Sequence, residues 1–225
     1  MKLFQYTIIG VLLCASFSSY ADTKPSFPDE NFNKINHKNE PIIAYFIKEK
    51  ATQECNCDTT FSMTPTEDGK YRKLLGRTTE GYYRLQDFYS QNNNVASSEF
   101  LTKSAEAIFH EDYLFLEGNL ITYYKNGQIL FSANFKEDKL VGDSKRYYSN
   151  GQLYLLNRID DQNIHYQKVW YPNGKDAMEF TWKDDKDFNF LLGRFWDKNG
   201  KKVIDNDKKL ALLEAFKAEI KMLVE

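Results

Sequence analysis

Through residues 118–204 apolar and polar positions alternate in short runs, and pairs of runs are separated by one recurring element. It reads Tyr-Tyr-Lys-Asn-Gly ending at Gly127, Tyr-Tyr-Ser-Asn-Gly at Gly151, Trp-Tyr-Pro-Asn-Gly at Gly174 and Trp-Asp-Lys-Asn-Gly at Gly200. The four glycines are 24, 23 and 26 residues apart. Alternation with period two predicts strands. Asn-Gly between two such runs predicts a hairpin closed by a type I′ turn, in which both central residues take positive φ. The predicted turn pairs are Asn126-Gly127, Asn150-Gly151, Asn173-Gly174 and Asn199-Gly200. A leading glycine stands nine residues before the turn glycine in the first two copies, Gly118 and Gly142. His165 takes its place in the third copy, and Gly193 falls only seven residues before Gly200. A fixed period of this kind marks a repeat architecture. One hairpin alone is marginal, so stacking about four to six of them predicts a continuous twisted sheet.

Both flanks extend this pattern. Residues 41–117 predict an N-terminal β region, with a first strand over Ile42 to Ile47 after Pro41. Phe88-Tyr89-Ser90-Gln91-Asn92 echoes the later copies without the glycine. The Asn92-Asn93-Asn94 run can supply left-handed backbone there, because Asn tolerates positive φ. Residues 205–225 change period. Leu210, Leu213, Phe216, Ile220 and Leu223 recur at three and four residues behind the capping oxygens of Asp205-Asn206-Asp207. They predict an amphipathic helix covering the open end of the stack. The expected fold is mainly β: an elongated antiparallel sheet of stacked hairpins with a C-terminal capping helix.

Adjacent aromatics on a strand point to opposite faces. Tyr123, Tyr147, Trp170 and Trp196 form one equivalent set, expected to pack repeat on repeat. Tyr124, Tyr148 and Tyr171 form the offset set, expected to meet a partner, because Tyr and Trp are frequent binding anchors.

The remaining segments bear on location. Residues 1–21 carry Lys2, an apolar run over Ile8 to Ala15 and the small-residue pattern Ser19-Tyr20-Ala21. They read as a secretory signal peptide cleaved after Ala21, and the run is shorter than the ~20 apolar residues of a membrane span. Lipid attachment at Cys14 is disfavoured by Leu13 just before it and by its place inside the apolar run. Residues 22–40 are polar and turn-rich, a flexible leader. The expected location is periplasmic or secreted. After cleavage 29 basic residues face 32 acidic ones, a net charge of −3. That balance gives no electrostatic footprint for nucleic acid and no polybasic membrane patch.

Candidate chemistry is sparse. Cys55 and Cys57 would lie in an oxidising compartment and favour a local disulfide over a metal site, because zinc asks for a second ligand pair. His37, His110 and His165 are scattered, and Asp160-Asp161 and Asp184-Asp185-Asp187 lack the spacing of a calcium loop. There is no phosphate loop, nucleophile elbow or zinc helix. A non-enzymatic protein with no cofactor and no metal is the expectation.

The motif Gly-x₄-Tyr-Tyr-x-Asn-Gly-x-Leu at this period resembles the MORN-repeat variant of the bacterial YwqK-like antitoxin family, clearly over 118–204 and loosely over 69–101. The resemblance implies a stacked-hairpin sheet, a toxin-like protein partner and no catalytic residues. Combined with the export signal, it implies an antitoxin or immunity protein that occludes a toxin. An envelope module contacting lipid or glycan is the alternative, and the charge pattern does not itself indicate membrane or glycan contact.

Overall fold

The computed structural model describes residues 40–48, 59–111, 113–160, 162–183 and 189–224, with side chains outside 48, 59–60 and 217–224. The signal segment, most of the leader, Cys55 and Cys57 lie outside the described residues. The strands are β1 (Ile42–Lys48), β2 (Thr59–Ser62), β3 (Lys70–Arg77), β4 (Tyr83–Tyr89), β5 (Phe100–Thr102), β6 (Leu116–Tyr123) and β7 (Ile129–Lys136). They continue as β8 (Lys139–Tyr147), β9 (Leu153–Ile159), β10 (His165–Trp170), β11 (Asp176–Trp182), β12 (Arg194–Trp196) and β13 (Lys202–Val203). All thirteen form one sheet, and the neighbours are antiparallel. Chain order equals spatial order except that β1 lies between β2 and β3. The N-terminal β region and the repeats therefore share one sheet.

The four Asn-Gly elements join β6–β7, β8–β9, β10–β11 and β12–β13, as the pattern predicts, but their turn type differs from expectation. Gly127, Gly151, Gly174 and Gly200 take φ of +83°, +84°, +79° and +88°, whereas none of the preceding asparagines has positive φ. Gly127 N donates to Tyr124 O at 2.8 Å, and Tyr124 N donates to Gln128 O at 2.8 Å. The same pair of bonds closes the other three turns. This is a three-residue loop: a type I turn followed by glycine in a G1 bulge. Pro172 explains the choice. At the second position of the observed turn its fixed φ near −65° fits type I, and in a two-residue Asn173-Gly174 turn it would have no N–H to donate to Lys175 O. The two-residue positive-φ turn occurs instead between β7 and β8, at Glu137 (φ 50°) and Asp138 (φ 63°). Asn93, at φ 58°, supplies the left-handed residue expected in the degenerate copy.

Register divides the sheet into two faces. Leu74, Leu85, Phe100, Leu116, Leu120, Ala133, Leu155, Val169, Met178, Phe180 and Phe195 follow one another across the strands on the inner face, and all are buried. Two covers complete this core. Over the N-terminal half, Ala105, Ile108 and Tyr113 from the β5–β6 connection pack on Leu74, Tyr83, Leu85 and Phe100. Over the C-terminal half lies helix α1 (Asn206–Val224), capped by Asp205 Oδ1, which accepts from Lys208 N at 2.9 Å. Its Leu213 and Phe216 join the core of Val169, Met178, Phe180 and Phe195. The helix therefore covers a face, not the open end, because its apolar stripe meets the inner side chains. Leu210 remains exposed, and the side chains of Ile220 and Leu223 lie outside the described ones.

The N-terminal cover is tied down by one buried charge. Arg72 on β3 and Asp87 on β4 are both fully buried. Arg72 Nε and Nη2 donate to the two Asp87 carboxylate oxygens at 2.7 and 2.8 Å. Arg72 Nη1 donates to the carbonyls of Ala107 at 2.6 Å and His110 at 2.7 Å, both in the cover. The rings of Phe46 and Phe100 stand 4.8 and 5.0 Å from the guanidinium. Burial pushes the Tyr113 hydroxyl well above its ordinary range, helped by the nearby Asp87. Truncating one partner of such a pair leaves an uncompensated buried charge, so Asp87→Ala is expected to cost about 3–5 kcal/mol. Glu99→Ala breaks the exposed pair with Arg84 and is expected to cost no more than about 1 kcal/mol. Urea midpoints of the two variants check the contrast.

Candidate binding surface on the outer face

The two aromatic sets lie on the faces opposite to those expected of them. Tyr148 and Tyr171 are only 3% and 5% exposed, and Tyr124 is half-buried. All three lie on the inner side. Alternation along the strand before each turn puts them there: Tyr148 is in phase with Ser144 and Arg146, and Tyr171 with Gln167 and Val169. Register shifts between Arg146 and Tyr147 and between Val169 and Trp170, making Tyr154 and Ala177 the extra residues of their strands. Tyr148 then packs 5.1 Å from Tyr154, ring to ring.

Each of these tyrosines reaches into the following repeat. Tyr124 Oη donates to Tyr147 O at 2.7 Å, Tyr148 Oη to Trp170 O at 2.8 Å and Tyr171 Oη to Trp196 O at 2.8 Å. Tyr89 continues the series backwards, donating to Tyr123 O at 2.6 Å. The offset set thus forms the ladder between repeats, and its buried members offer a partner no side-chain surface. The degenerate copy around Phe88-Tyr89 is a working rung of it.

The first aromatics, Tyr123, Tyr147, Trp170 and Trp196, lie on the outer face and are half-exposed. Register pairs them with Ile129, Leu153, Asp176 and Lys202 along the line of turns. The result is one row that alternates an aromatic with a smaller or charged residue across eight strands. A second row runs beside it: Ile121, Ser132, Lys145, Leu156, Lys168, Glu179 and Arg194. Lys168 links the two rows. Its Nζ pairs with Asp176 at 3.0 Å and lies 5.2 Å from the Trp170 ring centre. Arg194 pairs with Glu179, and Arg158 pairs with Asp143 at 2.6 Å. The Arg158 partnership holds the Asp143 carboxyl below its usual range.

Turn asparagines add a third inter-repeat link at the sheet margin. Asn126 Nδ2 donates to Ser149 O at 3.0 Å and Asn173 Nδ2 to Lys198 O at 3.2 Å. The isolated polar residues have local duties. Asp160 Oδ1 accepts from Gln162 N and Ile164 N, closing its turn. His165 stacks on Trp182 with ring centres 5.0 Å apart. His110 contributes its backbone carbonyl to Arg72. His37, Asp161, Asp184, Asp185 and Asp187 lie outside the described residues.

Sequence reasoning did not single out the Arg72–Asp87 clasp. It also assigned the faces the wrong way round, although a signal existed. Asp143, Lys145, Lys168, Glu179 and Arg194 share register with the first aromatics, and charge marks the outward side.

With the geometry established, two comparisons apply. The pattern of the MORN repeat variant family matches residues 116–137 and 140–156, the stretch that forms β6 to β9. These units therefore carry MORN-type repeats, which are generally protein- or membrane-binding modules. No curated protein sequence matches the chain significantly.

Removing a ladder hydroxyl strands a buried carbonyl, so Tyr148→Phe is expected to destabilise by about 1–3 kcal/mol. Tyr147→Phe removes a hydroxyl from the outer row and is expected to stay within about 0.5 kcal/mol. Denaturant melts of both variants test the inversion of faces.

A pH effect follows as well. Burial, then the neighbouring Tyr154, pushes the Tyr124 hydroxyl up to about 12. In the unfolded chain it ionises near its ordinary value of about 10. Its contribution to stability is intact below about pH 10 and is lost as pH rises toward about 12. Tyr124→Phe is expected to flatten the alkaline loss of stability, read from urea midpoints at about pH 9 and about pH 11.

Proposed function

We propose that this chain is an exported, non-enzymatic binding protein of the antitoxin or immunity kind, which occludes a toxin with the outer face of its sheet. The observation that carries the reading is the outer aromatic row. Tyr123, Tyr147, Trp170 and Trp196 remain half-exposed while the inner face is filled by its two covers. Aromatic anchors ringed by paired charges suit a partner whose contact must be wide and specific, since a few such residues dominate binding energy. The sheet supplies a pre-formed surface, so little ordering entropy opposes association. The export part of the reading rests on residues 1–21, and the toxin-like partner rests on the family resemblance.

The repeat spacing favours a second reading, an envelope module that grips a glycan. Equivalent aromatics recur every second strand, about 9.5 Å apart. That is close to one disaccharide of an extended β-1,4-linked chain, so successive rings could stack on alternate sugars.

The test is affinity capture of the tagged mature protein from periplasm, with the products of adjacent genes co-expressed. The expected result is one stoichiometric toxin-like partner, with affinity falling roughly tenfold or more in Trp170→Ala. The far-UV spectrum of that variant should not change. Sedimentation with peptidoglycan and no captured protein would overturn the antitoxin reading in favour of the glycan one.

A further inference from the structure

The chain's four Asn-Gly turns differ in how they hold the asparagine side chain. In the first three, Oδ1 accepts the N–H two residues on: Gln128 N to Asn126 at 3.0 Å, Gln152 N to Asn150 at 2.9 Å and Lys175 N to Asn173 at 3.1 Å. The fourth copy carries Asp197 where the others carry tyrosine. Asp197 Oδ1 accepts both Asn199 N and Lys201 N, each at 2.9 Å. Lys201 N–H is the donor that Asn199 would otherwise receive. The Asn199 carboxamide is thus displaced from its turn role, is exposed, and has no hydrogen-bond partner among the described residues.

The hairpin that carries it is also the least supported. β12 and β13 share two register pairs, against six for β6–β7 and for β10–β11. β13 is the free margin of the sheet.

Glycine after asparagine offers little steric resistance to attack by its backbone nitrogen on the side-chain carbonyl. A bond forms from the glycine nitrogen to the asparagine Cγ. The Cγ–Nδ2 bond breaks, and ammonia leaves with the amide proton, closing a succinimide. Water then opens either carbonyl of the ring, giving aspartate or isoaspartate. One water is taken up and one ammonia released, with no redox change. In this fold every attacking nitrogen is occupied: Gly127, Gly151, Gly174 and Gly200 each donate to the residue three before at 2.8 Å. Attack must therefore wait for the turn to open, and local opening is easiest where few pairings resist it.

We propose that Asn199 is a selective site of spontaneous deamidation, while the fold protects Asn126, Asn150 and Asn173. The inference is independent of the binding reading. Isoaspartate at 199 adds a main-chain carbon inside the turn, which breaks the 2.9 Å bond from Asp197 N to Lys201 O and loosens β13.

The test incubates the mature chain at mildly alkaline pH and follows all four sites by peptide mapping, with aspartyl and isoaspartyl products separated. In the folded protein Asn199 is expected to convert roughly tenfold or more faster than each other site. In concentrated urea the four rates should converge. Asp197→Ala, which returns Lys201 N–H to Asn199, is expected to slow conversion at 199 in the folded protein. Equal rates at the four sites of the folded wild-type chain, or faster conversion at Asn126, Asn150 or Asn173, would overturn the proposal whatever the variant does.

Discussion

The hydroxyl of one tyrosine per repeat, donating to a backbone carbonyl of the next, is the interaction on which the rest of the sheet depends. Strand pairing joins nearest neighbours only. The bonds from Tyr89, Tyr124, Tyr148 and Tyr171 span two strands, so they fix the offset of one hairpin on another. Each is worth about 1 kcal/mol net, yet a missing one leaves a carbonyl without its partner. Strand alternation turns that tyrosine inward, and a bulge after the second and third turns brings Tyr154 and Ala177 to the same face. The same alternation turns its neighbour outward, so packing and surface are set by one backbone period.

The two covers divide the inner face by chemistry. The C-terminal cover is apolar and works through Leu213 and Phe216. The N-terminal cover is held by Arg72, whose donors reach both a carboxylate and carbonyls of the cover. A buried ion pair is poor evidence of net stability, because desolvation offsets much of its attraction. Its value here is directional: a guanidinium bonded on several sides fixes one placement of the connecting segment, which aliphatic contacts alone would leave less determined.

Much of the fold was legible in the chain because local signals agreed. Period, Asn-Gly and alternation all pointed to hairpins in sequence order, and the terminal helix declared itself by its change of period. The faces were harder to read. In Gly142-Asp-Ser-Lys-Arg-Tyr-Tyr both parities carry polar residues, so hydrophobicity did not separate inside from outside. The neighbouring repeats carry the clearer signal, for there Lys168, Glu179 and Arg194 fall in phase with the first aromatics. The turn type was misjudged because Asn-Gly was weighed without its neighbours, although Pro172, with no N–H to donate across a two-residue turn, already argued against one in the third copy. The clasp was out of reach because Arg72, Asp87 and His110 are far apart in sequence and meet only when the β5–β6 connection folds over the sheet.

The fourth copy has Asp197 in the ladder position and so offers no hydroxyl to a further unit. The array is thereby polar in the sense of a growing chain: each rung names its successor, and the last one names none. Length is written into the sequence as a terminator, not left to the number of hairpins that happen to stack. A unit duplicated inside the array would find a donor on one side and an acceptor on the other. A unit appended after β13 would be joined by strand pairing alone.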